Sequence, residues 1–177
     1  MLQVEVDPAP RKGVPDWFSE SYERLRRVAR RELGRMHAST LDTTALVHEL
    51  YLKICSRDDL GFAEARKFFS YAATAMRHVL IDRANRQLCL KMGFGAAHVS
   101  LDDSERDIFS ADPITALQLD AGLNALDAQN KRAAKVVELH YFAGLSLEHV
   151  ACLLGVVRRT VDRDWRFARA FLLAHVK

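Results

Sequence analysis

Near the C-terminus Arg159, Arg163 and Arg166 recur at steps of four and three, which on a helix places them on one face. A guanidinium pairs bidentately with a guanine edge or with phosphate oxygens, so such a stripe is chemically suited to nucleic acid. By the same spacing Val161, Trp165, Ala168 and Leu172 share the opposite, buried face. Taken alone, the arginines fit equally a solvated basic face on a core helix.

The element that must position them lies just upstream. Ser146 reads as an N-cap, with Glu148 in the first turn. Leu147, Val150, Ala151 and Leu154 mark one apolar face. Gly155 allows the positive φ of a sharp turn, and Val156 plugs that turn into the core. Ala151, Gly155 and Val161, at relative positions one, five and eleven, complete the pattern of two short helices whose second enters the DNA major groove. Arg158, Arg159, Thr160, Arg163 and Arg166 are its candidate DNA contacts. Asp162 and Asp164 share the helix, either accepting from a cytosine amino group or buttressing neighbouring arginines.

The chain has 177 residues with 26 basic and 23 acidic side chains, enough for one medium domain or two small ones. Residues 14–90 carry 13 basic and 10 acidic groups, residues 113–177 carry 9 and 6, and residues 91–112 carry 2 and 5. Two mildly basic blocks therefore flank an acidic connector, which favours two modules facing nucleic acid. No apolar run approaches the ~20 residues of a membrane span, and the N-terminal stretch lacks the apolar core of a signal peptide. A cytoplasmic protein without membrane insertion is expected. Cys55, Cys89 and Cys152 fit neither a disulfide framework nor a zinc site and are expected to be buried free thiols.

Along the chain the periodicity is helical throughout. Residues 1–13 have none and read as a disordered tail. A helix is expected from Asp16 to about His37, with Trp17, Tyr22, Leu25, Val28 and Leu33 as its apolar stripe and Arg24, Arg27, Arg31 and Arg35 as a basic one. After a break at Leu41–Thr44 a second runs to Cys55. A third starts near Ala63, passes Ile81 and ends in DRANRQ. Residues 91–112 form the linker, and Pro113 restarts helix formation. One helix then carries Ile114, Leu117, Leu119, Leu123 and Leu126, and another Ala133, Val136, Val137, Leu139 and Tyr141, stopped by Gly144. No segment alternates with period two, so no sheet is expected.

The two blocks together resemble the extracytoplasmic-function (ECF) sigma factors, the small two-domain members of the sigma-70 family. TALVHELYLKI is similar to the family's polymerase-docking helix, and FFSYAATAMRHVLIDRANR to its promoter-melting and minus-ten segment. VVELHYFAGLSLEHVACLLGV and TVDRDWRFARAFL resemble its minus-thirty-five-binding domain. The resemblance implies an all-α protein of two small helical domains, sigma region 2 at residues 14–90 and helix-turn-helix region 4 at 113–177, joined by a flexible linker at 91–112. It implies binding to core RNA polymerase and promoter DNA, with no cofactor and no metal. Asp42, Leu46, Val47, Glu49 and Leu50 become polymerase-docking candidates, the apolar ones competing with a plain core role. Arg77, His78, Arg83, Asn85 and Arg86 become minus-ten candidates, beside apolar platforms suited to unstacked bases. A solvated helix end is the other reading of Arg83 and Arg86. The loop Ser56–Gly61 is where the resemblance places a pocket for a flipped base.

Two departures from the family pattern stand out. Relatives carry acids ahead of the docking helix, in a run like D-A-E-D-L-V-Q-E, where this chain has Asp42-Thr43-Thr44-Ala45-Leu46-Val47-His48-Glu49. Phosphorylation of Thr43 or Thr44 would restore the negative charge at a helix start; the alternative is that Thr44 simply caps the helix. A Ser/Thr kinase or an anti-sigma factor is the candidate regulatory partner. The second departure is Val157-Arg158-Arg159 at the turn, where relatives often have a serine cap. Val157 weakens that cap by up to ~1 kcal/mol.

The competing function is a helix-turn-helix regulator that is not a sigma factor, with an N-terminal helical domain for sensing or oligomerisation. An enzyme is disfavoured: His48-Glu49 lacks the second histidine of H-E-x-x-H, and there is no glycine-rich phosphate loop and no G-x-S-x-G elbow.

Overall fold

The computed structural model of the chain describes residues 14–35, 40–55, 65–93 and 113–175. The tail at 1–13, the loop Ser56–Gly61 and residues 94–112 of the expected linker lie outside them. Helices α1 (Val14–Arg35), α2 (Thr40–Cys55) and α3 (Ala65–Gly93) form the first half. They pack because each buries a stripe: Leu25, Val28 and Leu33 from α1, Leu46, Val47, Leu50 and Ile54 from α2, and Phe68, Ala72 and Met76 from α3. Trp17 closes one end, stacked on Phe68 with centroids 6.2 Å apart.

The second half comprises α4 (Pro113–Gln129), α5 (Lys131–Val137), a π-helical turn Glu138–Phe142, α6 (Leu147–Leu154) and α7 (Arg158–His175). Pro113 opens α4, where its missing N–H costs nothing. Asn130 caps α5, its side-chain oxygen accepting from the Ala133 N–H at 3.1 Å. α7 packs against α4, α5 and α6. Val161, Ala168 and Leu172 are buried and Trp165 is half-buried against the core. No strand occurs among the described residues.

Three expectations need correction. Helix α2 starts at Thr40, so the break expected at Leu41–Thr44 is helical. Thr43 lies three residues before Leu46 and four before Val47, on the buried face, and is only 3% exposed; tertiary burial outweighs the weak helix propensity of threonine there. Thr44 is thus inside the helix and not its cap. Helix α3 runs on to Gly93, past DRANRQ and into the expected linker. The cysteines are not buried: Cys55 is half-buried, and Cys89 and Cys152 are exposed. Cys152 follows the buried Ala151 and so points to the outer face of α6.

The halves are docked, with α3 against α4, the π-turn and α6, and α1 against the π-turn. Gly144 sits at the joint with φ +68°, and a Cβ there would lie 2.9 Å from Arg24 Cγ and from Val28 Cγ2 of α1. Left-handed backbone costs a non-glycine residue about 1–2 kcal/mol, and the collision adds to it. Gly144→Ala is expected to lower stability by at least that amount in urea unfolding; an unchanged midpoint would show the joint to be loose.

Candidate nucleic-acid interface

The helix pair α6–α7 is built largely from local chemistry. The Ser146 hydroxyl accepts from the His149 N–H at 3.3 Å. Gly155 takes φ 67° and ψ 33°, the left-handed conformation that ends α6. The Val156 N–H then donates to Ala151 O at 3.0 Å. Val157, 70% exposed, offers no side-chain cap, and its carbonyl accepts from the Thr160 N–H at 2.9 Å.

Arg158 bridges the turn instead. Its Nε donates to Glu148 Oε1 on α6 at 2.9 Å, and its guanidinium also pairs with Asp162 one turn along α7. It therefore ties the two helices together across the turn. Hydrogen bonds from the Glu148 backbone N–H, from Arg158 and from the Ser146 hydroxyl hold the Glu148 carboxyl at about 2, below its ordinary 4.5. A carboxylate depressed in the folded state stabilises it above the unfolded pKa and loses that contribution as pH falls through the folded one. The tie is expected to persist at pH 5 and to loosen between about 4.5 and 2. NMR of the Arg158 Nε–H during acid titration checks this; a resonance unchanged down to pH 2 would contradict it.

Beyond the turn, Arg159, Arg163, Arg166 and Arg169 are exposed and Thr160 is half-buried. Arg166 Nε donates to Asp162 O at 3.3 Å, which leaves the rest of its guanidinium outward. Arg169, three residues on from Arg166, extends the stripe by the same spacing that identified the others. Asp164 does not face DNA. It is 3% exposed and accepts from Arg132 of α5, at 2.6 Å to Oδ2 and 3.3 Å to Oδ1. It does not buttress the arginines of its own helix. Its position, between Val161 and Ala168 at helical spacing, was the sequence signal for this: a carboxylate set in an apolar stripe needs a buried partner.

In the first half, His78, Asn85 and Arg86 share an exposed face of α3, and Arg83 beside them is half-buried. Arg86 Nη2 lies 3.6 Å from Glu49 Oε1. Arg77 departs from this set. It is 8% exposed, and its guanidinium is directed at Asp120, Asn124 and Glu138 of the second half. Leu46, Val47 and Leu50 have no exposed surface; at 3–4-residue spacing they all point to the interior between α1 and α3, which is why they build the core and do not reach outward. The outward face of α2 is Ala45, His48 and Leu52, with Glu49 partly exposed and Leu52 67% exposed. The Asp42 side chain lies outside the described residues.

The glycine turn between α6 and α7 and the arginine stripe on α7 have the geometry of a DNA-binding helix-turn-helix. The model of the family described as ECF sigma factor matches residues 11–177. The chain belongs to that family. It is an RNA polymerase sigma factor that binds core polymerase and directs promoter-specific transcription initiation. Neither the curated proteins nor the solved structures contain a match to it. Among the described residues no helix is long and apolar enough to cross a membrane.

Proposed function

We propose that α7 reads the minus-thirty-five element and that the exposed face of α3 captures the minus-ten strand. The observation that carries the first assignment is the polarity of α7. Arg159, Arg163 and Arg166 face solvent, while Asp164 and Leu172 hold the other side to the body of the domain. Arg159 and Arg163 are the base-reading pair near the start of the helix. Arg158 acts on DNA indirectly, by setting the turn. His78, Arg83, Asn85 and Arg86 serve the opened strand. Region 2 then spans residues 14–93, three residues longer than the sequence suggested, and region 4 spans 113–177.

Core polymerase docks on the outward face of α2, Ala45, His48 and Leu52 with Glu49 at its edge. An exposed leucine on a charged helix gains from burial in a partner, about 1.5–3 kcal/mol for a full side chain. Leu52→Ala should therefore weaken core binding roughly tenfold with little change in folding. Unaltered core affinity in a fluorescence titration would move the docking face elsewhere.

The protein works in the cytoplasm beside its polymerase and catalyses nothing itself. A Ser/Thr kinase supplies the missing negative charge at Thr44, in the opening turns of α2, which is half-buried and more accessible than Thr43. A Thr43→Ala/Thr44→Ala protein that transcribes as well as wild type in cells ends the kinase reading and leaves an anti-sigma factor as the regulator. The sigma assignments as a whole are tested by transcription with core polymerase on a genomic library. Specific start sites are expected, upstream of which a common minus-thirty-five sequence recurs. No specific starts, with phosphorylated protein included, would overturn them.

A further inference from the structure

The basic stripe of α1 takes no part in the DNA and polymerase contacts assigned above. Residues 24–31 read RLRRVARR, five arginines in eight positions with no acid among them. Leu25, Val28 and Ala29 between them are buried, so the arginines ring the outer side of the helix. Arg27, Arg30 and Arg31 are exposed, and Arg24 and Arg26 are half-buried.

Three of the five are engaged, at least in part. The Arg24 guanidinium lies 5.7 Å over the Phe69 ring. Arg26 Nη1 is 3.7 Å from Glu23 Oε1. Arg31 donates from Nε to Glu32 Oε1 and from Nη2 to Tyr141 O, each at 2.8 Å. Arg27 and Arg30 have no hydrogen-bond or ion-pair partner among the described residues. They stand at a step of three from each other. Arg27 also precedes Arg31, and Arg26 precedes Arg30, by steps of four, so like charges sit side by side on the helix surface. The helix dipole favours cations only in the last turn, and Arg27 lies more than two turns before the end at Arg35. Folding therefore leaves a concentrated positive charge at Arg27 and Arg30 that no described side chain neutralises.

The chemistry of the face selects its partner. Its charge calls for a polyanion, and the planar fork of arginine fits phosphate oxygens bidentately. From Arg26 to Arg31 no exposed apolar or aromatic side chain stands beside the arginines. The patch thus has neither the apolar core of a protein interface nor a platform on which unpaired bases could stack. We infer that Arg27 and Arg30 form a third DNA contact, on a helix other than α3 and α7, that holds backbone phosphates of duplex DNA without reading sequence. This contact does not depend on which helix reads which promoter element.

The test titrates the full chain with a labelled mixed-sequence duplex from about 50 to about 200 mM salt. Both side chains are exposed and unpartnered, so Arg27→Gln/Arg30→Gln should keep its helical content and thermal midpoint. Each phosphate contact contributes about 0.9 to the salt slope. The slope should fall by about two, and the variant should lose roughly tenfold less affinity than wild type across that range. Arg27→Lys/Arg30→Lys keeps the charges and should keep the slope. The preference for promoter over scrambled duplex should stay unchanged, because phosphate contacts carry no sequence. A folded glutamine variant with the wild-type slope overturns the contact. So does a loss confined to core polymerase binding, which would make the patch a protein interface. An equal loss on a labelled single strand overturns the assignment to duplex. Because the probe is not a promoter, failure here leaves the reading of α7 intact, and failure of the α7 arginines leaves this contact intact.

Discussion

Arg163→Ala is expected to weaken binding to minus-thirty-five DNA by roughly 5- to 150-fold, the range for loss of one bidentate base contact. Arg163 is exposed one turn into α7, and the helix is held from behind by Asp164 and Leu172, so truncation removes a contact without disturbing the scaffold. Arg159→Ala should behave alike. A base-reading arginine relaxes specificity at one position, whereas a phosphate-binding one weakens all sequences evenly and lowers the salt slope by about one. Titrating each variant against promoter and scrambled duplexes at two salt concentrations separates these roles. Equal loss on both duplexes would make the pair phosphate anchors. Arg158 gives a contrasting result. If it positions the turn, Glu148→Gln weakens binding as Arg158→Ala does. If it touched DNA, releasing it from Glu148 would tighten binding.

Arg132→Ala should lower the unfolding midpoint by roughly 5–10 °C, because it strands a buried carboxylate. The two partners are unequal: the Arg132 side chain is 46% exposed and the Asp164 side chain 4%. Asp164→Leu leaves a cation that can turn to water and places an apolar group beside Val161 and Ala168, so it should cost less. The double variant Arg132→Met/Asp164→Leu should recover most of the loss, as buried pairs replaced by apolar residues commonly do. Thermal unfolding of the three proteins decides it. Equal losses in both single variants would mean that the carboxylate is not isolated from water when Arg132 goes.

The helix-turn-helix was legible in the sequence because its determinants are local. Ser146, Gly155 and the step-four arginines act within a turn or two of themselves, and the structure places them as the spacing predicts. The apolar stripes likewise announced which faces of α1 and α7 are buried. The start of α2 was misread for an equally local reason. Threonines favour caps, yet Thr43 is drawn into the helix by its place over Leu46 and Val47, a tertiary term that propensity omits. The docking leucines show the same limit. Periodicity marks Leu46, Val47 and Leu50 as apolar, but whether an apolar face meets the protein's own core or a partner depends on the neighbouring helices. Here α1 and α3 cover them.

By itself, the sequence determined an all-helical chain of two basic blocks, the polarity of α7 and the membership of a sigma family. The first two rest on periods of three and four residues and on composition; the family rests on the likeness of stretches such as TALVHELYLKI and TVDRDWRFARAFL to its motifs. Only the tertiary structure decided that Arg77 is an inter-half tie and that Asp164 is a buried brace. Their partners lie 43 to 61 residues away for Arg77 and 32 for Asp164. The charge of an arginine is visible in one dimension. Whether it faces phosphate, or carboxylates far along its own chain, is settled by how two helices close on each other, because the cost of burying that charge depends on the acceptors that arrive with the fold.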